Sequence, residues 1–217
     1  MESARVPGPD PTAGERERIA EVQHAPSAGW TPADPGPLGL GAFALTTFVL
    51  SMFNANLVSE AGEPVVLGIA LAYGGIAQLL AGLWEFRTGN TFGATAFCSF
   101  GAFWISYFVL VMFNAGSIPE ANAGDAIGLY LIAWGIFTTY MFVASLRTTA
   151  AVALVFILLA ITFFLLGIGD AGAHTDITKA GGWFGLATAA AAWYASFAVV
   201  TNSTFGRTVL PVRPLNE

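Results

Sequence analysis

The octapeptide Phe48-Val-Leu-Ser-Met-Phe-Asn-Ala55 returns with one change as Phe108-Val-Leu-Val-Met-Phe-Asn-Ala115. At this offset of 60 residues, 11 of the 21 positions from Leu40 to Glu60 are identical to those from Phe100 to Glu120. The match continues without a gap through the next apolar segment. The repeating unit is therefore a two-helix hairpin, and an even number of spans per unit predicts parallel repeats about an axis normal to a membrane.

The composition indicates which solvent surrounds these hairpins. Of 217 residues, 55% are hydrophobic and only 10% are charged, whereas a soluble domain carries about 25% charged residues. The mean hydropathy is +0.67. These values argue against a soluble globular protein and favour a helical bundle in lipid.

Six apolar stretches have about the 20-residue length that crosses a bilayer as a helix. They are Leu38 to Ser59, Val65 to Phe86, Thr91 to Asn114, Ala126 to Ser145, Thr149 to Gly167 and Gly181 to Val200. We predict an all-α membrane protein with six transmembrane helices over residues 34–203. Residues 1–33 are predicted to form a disordered cytoplasmic tail, and residues 204–217 a cytoplasmic C-terminal tail.

The basic residues predict the orientation, because Lys and Arg accumulate in cytoplasmic loops. With the N-terminus inside, that side holds Arg5, Arg16, Arg18, Arg87, Arg147, Arg207 and Arg213, and the other side holds Lys179. Both termini are expected in the cytoplasm of a plasma-membrane protein. The first residues do not resemble a signal peptide, so we expect them to remain on the mature chain.

The predicted spans lack the side chains that several membrane-protein chemistries require. Lys179, the sole lysine, lies in a predicted loop, which excludes a retinal Schiff base in a span. His24 and His174 lie outside the predicted spans, and Cys98 is the single cysteine. No Gly-rich Lys-Ser/Thr motif for ATP is present. We expect no enzyme activity, no cofactor and no metal site.

Three hairpins around one axis, the third diverged, would leave a central path lined by hydroxyl, amide and aromatic groups. Gln78 must face protein or water, because an unpaired amide in hydrocarbon costs several kcal/mol. The nearby Gly68, Gly74, Gly75 and Gly82 predict close helix packing. The tryptophans are interpreted as mostly interfacial belt residues: Trp30, Trp84, Trp104, Trp134, Trp183 and Trp193.

Several separated motifs resemble one known family. Asp34-Pro-Gly-Pro-Leu-Gly-Leu40 resembles the Asn-Pro-Ala-Pro-Leu-Gly-Leu signature of the acetate uptake transporter family, the succinate/acetate permeases. Tyr73-Gly-Gly-Ile-Ala-Gln78, the stretch from Trp84 to Phe97, and Phe205-Gly-Arg-Thr-Val-Leu-Pro211 are also similar to family segments. The resemblance covers about residues 35–211.

The resemblance implies a hexamer of six-helix protomers that transports acetate and related small carboxylates, often with protons. It places the narrow constriction of the path on Phe43, Phe100 and Leu159. Two residues depart from the family pattern: Asp34 replaces Asn, and Phe100 stands where Tyr is common. Both departures put substrate selectivity in doubt.

Substrate access and polar contacts are expected from the first turn of the first span together with Tyr73 and Gln78. The residues of that turn are Pro35, Gly36, Pro37, Leu38, Gly39 and Leu40. Pro37 suits a first helical turn, and the free N–H groups there would form a weak anion site. A rigid helix start without a substrate role explains the same motif.

Four functions remain open at this point. Acetate transport can be proton-coupled, with the substrate itself as the proton carrier, or it can be a passive anion channel. Export of ammonia or ammonium is a third possibility, because the predicted outer loops are acidic. A non-transporting sensor or scaffold that recruits a partner through residues 1–33 is the fourth.

Overall fold

The computed structural model describes residues 32–215 together with residues 12, 14 and 30. Ala33–Glu217 forms one compact unit, and Met1–Pro32 is a separate unit. The predicted disordered tail over residues 1–33 lies almost entirely outside the described residues and stays a prediction.

Six helices are long and apolar enough to cross a membrane. They are α1 (Gly36–Asn54), α2 (Val65–Thr88), α3 (Thr91–Ser117), α4 (Glu120–Ser145), α5 (Ala150–Ala171) and α6 (Thr175–Phe205). In the described part of the chain no strand forms, and one isolated β-bridge joins Thr149 to Pro214. The predicted all-α architecture with six spans is confirmed.

The helix ends differ from the predicted spans where helices project beyond the apolar stretch. Helix α4 begins at Glu120, six residues before the predicted start at Ala126, and α6 covers both ends of its predicted span. The fifth and sixth predicted spans leave a connector from Ile168 to Ala180. This connector is wrong, because only residues 172–174 lie between α5 and α6. Hydropathy marks the part of a helix that suits hydrocarbon, whereas backbone hydrogen bonding continues into water.

The alternating helices give the bundle two ends. The termini end carries the start of α1, the α2–α3 and α4–α5 connections and the end of α6. The loop end carries the α1–α2, α3–α4 and α5–α6 connections. Residues after α6 lie against the termini end: Asn202 Oδ1 accepts hydrogen bonds from the N–H groups of Val209 and Leu210 at 2.7 and 2.9 Å, and Leu215 N donates to Thr148 O at 2.9 Å.

The helices pack in the order α4, α5, α6, α1, α2, α3, each mainly against its neighbours in that series. The second predicted hairpin is splayed, since α3 and α4 have few backbone contacts with each other. Aromatic side chains occupy the space between them, as in the pair Phe103 and Trp134, whose ring centroids are 5.2 Å apart. The bundle is therefore closed by side chains on this side.

Small residues permit the close helix contacts elsewhere. A Cβ on Gly74 would lie 2.6 Å from Thr46 Oγ1 on α1, and one on Gly82 would lie 2.5 Å from the Cys98 backbone N on α3. The predicted packing role is confirmed for these two glycines and for Gly75, which meets Ile105. It is wrong for Gly68, which is exposed and has no neighbouring atom within 4 Å.

Two helices contain π-helical segments that the apolar pattern does not predict. They cover Ala70–Ala77 in α2 and Leu110–Asn114 in α3. Each adds a residue to the local turn, which shifts the side chains that follow around the helix axis. The face of α2 that carries Gln78 is set by this shift.

Gly82→Ala and Gly68→Ala should change stability in opposite directions, although both lie on α2. The first places a methyl group against the α3 backbone, an overpacking cost of about 1–3 kcal/mol. The second gains up to about 1 kcal/mol of helix propensity without a clash. Thermal unfolding of the two variants in detergent checks this, and equal shifts would contradict the packing role of Gly82.

Candidate functional site

A cavity of about 220 Å³ extends from the loop end to the middle of the bundle between α1, α3, α4 and α5. From Asn54 at its mouth to Phe43 at its floor, α1 rises about 16 Å. The lining residues are Phe43, Thr47, Leu50, Ser51, Asn54, Glu63, Phe103, Trp104, Tyr107, Leu110, Val111, Ala115, Ile127, Tyr130, Leu131, Leu159, Thr162, Phe163, Leu166 and Asp170. The cavity is a deep, mostly apolar blind path.

Two of the three residues predicted for the constriction lie at the floor of the cavity, and the third lies directly behind it. Phe43 and Leu159 line the cavity. Phe100 lies one helical turn from Phe103 toward the termini end, with its ring centroid 5.7 Å from that of Phe43. Each of the three is less than 5% exposed and belongs to one hydrophobic cluster. The structure therefore brings them together in one buried apolar cluster at mid-depth, and their role as a constriction stays a prediction.

Two hydrogen-bond donors in the cavity wall have no partner among the described residues. They are Thr47 Oγ1 on α1 and Trp104 Nε1 on α3, and these residues are 6% and 2% exposed. Burying a polar group without a hydrogen bond is costly. Both donor atoms are themselves buried, so an acceptor in the cavity reaches them only when neighbouring side chains move.

The position of Trp104 corrects the interfacial-belt interpretation for that residue. Trp104 is buried in the middle of α3, and Trp134 contacts the rings of Phe100 and Phe103 inside the bundle. Both tryptophans lie near the middle of their helices, but so does the exposed Trp193, so position along the helix does not by itself identify the buried ones. The other tryptophans are exposed: Trp30, Trp84, Trp183 and Trp193.

The mouth of the cavity carries two carboxyl groups that the sequence did not single out as site residues. Glu63, just before α2, and Asp170, near the end of α5, both line the cavity. Tyr107 OH donates a hydrogen bond to Glu63 Oε1 at 3.1 Å. This bond fixes one carboxyl group at the wall of the mouth.

The termini end of the bundle holds two other carboxyl groups. Glu85 is 3% exposed, and its Oε2 accepts hydrogen bonds from Thr88 Oγ1 and Asn90 Nδ2, both at 3.0 Å. Asp34 Oδ1 accepts the N–H of Gly36 at 2.8 Å. One of the N–H groups expected to hold a substrate anion is therefore already bonded within the protein.

The structure separates the residues predicted for access and polar contacts. Pro37, Leu38 and Tyr73 line a groove beside Ser196, whose Oγ donates to Pro37 O at 2.7 Å. Tyr73 thus lies outside the central cavity. The remaining residues of the turn, Pro35, Gly36, Gly39 and Leu40, are buried or half-buried in the helix packing, with Gly39 against Phe97.

Gln78 is placed as its amide requires, away from lipid. It is 1% exposed, and its Oε1 has no hydrogen-bond partner in the described part of the chain. No group of three or more His, Cys, Asp or Glu side chains suited to a metal occurs among the described residues.

The comparisons with known proteins assign the chain to a family. The profile of the GPR1/FUN34/yaaH family matches residues 19–217. Acetate permease A of Emericella nidulans is 45% identical in an alignment of 195 residues that covers 83% of this chain and 65% of that protein. The chain thus spans just under two thirds of this relative.

Two further relatives are named for different activities. The succinate-acetate/proton symporter SatP of Escherichia coli K12 is 39% identical over 83% of this chain and 95% of its own length. Ammonia transport outward protein 2 of Saccharomyces cerevisiae is 44% identical over 78% of this chain and 62% of its own length.

A solved structure agrees with the observed fold. The bacterial acetate channel SatP matches with a TM-score of 0.78 and 39% identity, covering 83% of this chain and 99% of that one. With its six apolar helices, the chain is a multi-pass membrane protein. The chain belongs to the GPR1/FUN34/yaaH family.

Proposed function

We propose that the protein transports acetate and related small carboxylates across a membrane. The observation that carries this proposal is the cavity that ends at the Phe43, Phe100 and Leu159 barrier, with the unpartnered donors of Thr47 and Trp104 above it. Two hydrogen-bond donors suit a single carboxyl group. Relatives named as an acetate permease, a succinate-acetate/proton symporter and an acetate channel support the same substrate class.

The barrier acts as a gate that a small substrate passes when its side chains move. Phe43, Phe100 and Leu159 offer no hydrogen bonds from their side chains, so a solute must shed water to pass them. Desolvation disfavours the charged form of a carboxylic acid. An apolar barrier of this kind passes a small or protonated acid in preference to a large or strongly hydrated ion.

In a proton-coupled mechanism, the substrate itself carries the proton. Among the described residues of the spans, the acidic side chains lie toward the helix ends, at Glu85, Glu120, Asp125, Asp170 and Asp176, and none lies at the depth of the barrier. An acetate ion that takes up a proton before the barrier crosses as acetic acid. No acidic side chain in the barrier is needed to relay the proton.

Purified protein in liposomes distinguishes the symporter from the passive channel. Because neutral acetic acid also crosses lipid unaided, the rate is compared with that of protein-free liposomes. An inward proton gradient should drive labelled acetate uptake faster with the protein than without it, because crossing as the neutral acid couples the two fluxes. Downhill flux that follows a potassium-diffusion potential and ignores the proton gradient would identify an anion channel. Absence of acetate flux would overturn the proposed function, and outward ammonium flux would support the exporter alternative.

Glu85→Gln tests the remaining buried carboxyl group in the same assay. Gln retains an acceptor for the hydrogen bonds of Thr88 and Asn90 but carries no exchangeable acid. We expect acidification-dependent uptake to persist. Its loss with downhill flux intact would assign the proton path to Glu85.

Shortening Phe100 should broaden the substrate range. Phe100→Leu removes the ring between Phe43 and Phe163, so uptake of a four-carbon monocarboxylate relative to acetate should rise severalfold. Phe113→Leu is the matched control, because Phe113 is 68% exposed and lies outside the cavity. An unchanged ratio in Phe100→Leu would remove this residue from the gate.

We also propose a homo-hexamer in the plasma membrane with both termini cytoplasmic. The termini end carries Arg87, Arg147, Arg207 and Arg213, and the loop end carries Lys179, a distribution that supports this orientation. Large apolar side chains such as Leu129 and Ile136 are exposed on the outer face of the protomer. Native mass spectrometry of detergent-released protein should give six times 22.7 kDa; a monomer mass would contradict the hexamer.

Export of ammonia or ammonium is the second candidate function. The carboxyl groups of Glu63 and Asp170 at an aromatic-lined mouth would attract a cation. The yeast relative named for outward ammonia transport is 44% identical to this chain. None of the relatives above is named as an enzyme, which agrees with the expected absence of enzyme activity.

A further inference from the structure

The mouth of the cavity has a charge that is unfavourable for the proposed substrate. Glu63 and Asp170 line the mouth from two different elements, the α1–α2 connection and α5. Both carboxyl groups belong to the lining of the same cavity. Any solute that moves between the loop end and the barrier passes both groups.

The surroundings do not neutralise these groups. The described charged residues of the loop end are Glu60, Glu63, Glu120, Asp125, Asp170, Asp176 and Lys179, with His174 as a further titratable group. Lys179 shares a separate cleft with Glu60 and Glu63 and does not line the central cavity. One lysine against six acids leaves the loop end as a whole negative.

The interior of the same cavity is suited to an acceptor. The buried donors of Thr47 and Trp104 lack partners among the described residues and lie deeper than the two carboxyl groups. A carboxyl group at this depth bonds to these donors only after the side chains of the wall move, because both donor atoms are buried. The carboxylates at the mouth repel anions, and the unpaired donors deeper in the cavity favour one carboxyl group.

We propose that Glu63 and Asp170 form a charge filter that favours neutral acids and monoanions over dicarboxylate dianions. The inference rests on the proposed carboxylate transport and specifies the charge class of its substrate. A second carboxylate on the substrate would have no donor of its own in the apolar floor formed by Phe43, Leu159 and Phe163.

The electrostatics gives the filter a quantitative signature. At the same place, a dianion has twice the repulsive energy of a monoanion. The factor by which repulsion lowers the local concentration of the dianion is therefore the square of the factor for the monoanion. For unit charges about 6 Å apart in water, repulsion lowers the local concentration of a monoanion about threefold. A neutral acid is unaffected, and salt weakens the effect.

Labelled exchange across liposomes at symmetric pH tests the filter. At pH 7, Glu63→Gln and Asp170→Asn should each raise acetate exchange about threefold and succinate exchange about tenfold, so the succinate-to-acetate ratio rises about threefold. Glu63→Gln keeps an acceptor for Tyr107. Near pH 4, where much of the acetic acid is neutral, the gain in acetate exchange should shrink, as it should in high salt.

Asp125→Asn is the matched control, because Asp125 is exposed at the loop end and does not line the cavity. It removes one negative charge, as each mouth variant does, and should leave the succinate-to-acetate ratio unchanged. Unchanged ratios in both mouth variants, or an equal rise in Asp125→Asn, would overturn the filter while the acetate exchange of the parent protein upholds the proposed function. Absence of acetate exchange in the parent protein would overturn the proposed function and the filter together.

Discussion

The packing of Phe100 against rings from three other helices is the contact on which the centre of the bundle depends. Its ring lies within 5.4 to 6.4 Å of Phe43 on α1, Trp134 and Phe137 on α4, and Phe156 and Phe163 on α5. Each aromatic pair contributes about 0.5–1.5 kcal/mol beyond area burial. Because α3 and α4 share few backbone contacts, these rings close the bundle and obstruct its centre.

This packing divides the interior into two chemically different regions. Toward the loop end lies the cavity with Thr47, Trp104 and the mouth carboxyl groups of Glu63 and Asp170. Toward the termini end lies the hydrogen-bonded carboxyl group of Glu85. In the transport that we propose, a solute would meet charge, then hydrogen-bond donors, then the apolar residues, and these regions would select for net charge, an acceptor group and small size.

The repeated octapeptide shows why sequence identity does not settle local structure. In α1 the peptide ends the helix, and Asn56 follows with a φ of 56°; in α3 it continues as a π-helix into a 3-10 turn. Phe53 is 7% exposed and Phe113 is 68% exposed. The difference is tertiary: Gly182 of α6 packs against Asn54 and Ala55, whereas the surface around Phe113 is open.

The sequence by itself determined the solvent, the number of spans and the family, because these follow from hydropathy, helix length and local motifs such as residues 34–40. It also indicated Phe43, Phe100 and Leu159 through family resemblance. Only the tertiary structure decided that Tyr73 lies in a separate groove, that Trp104 is a buried cavity residue, and that Glu63 and Asp170 share one mouth. The physical reason is that α-helical periodicity shows which residues share one helix face, whereas the meeting of faces from α1, α3 and α5 depends on π-helical shifts and close glycine contacts between helices.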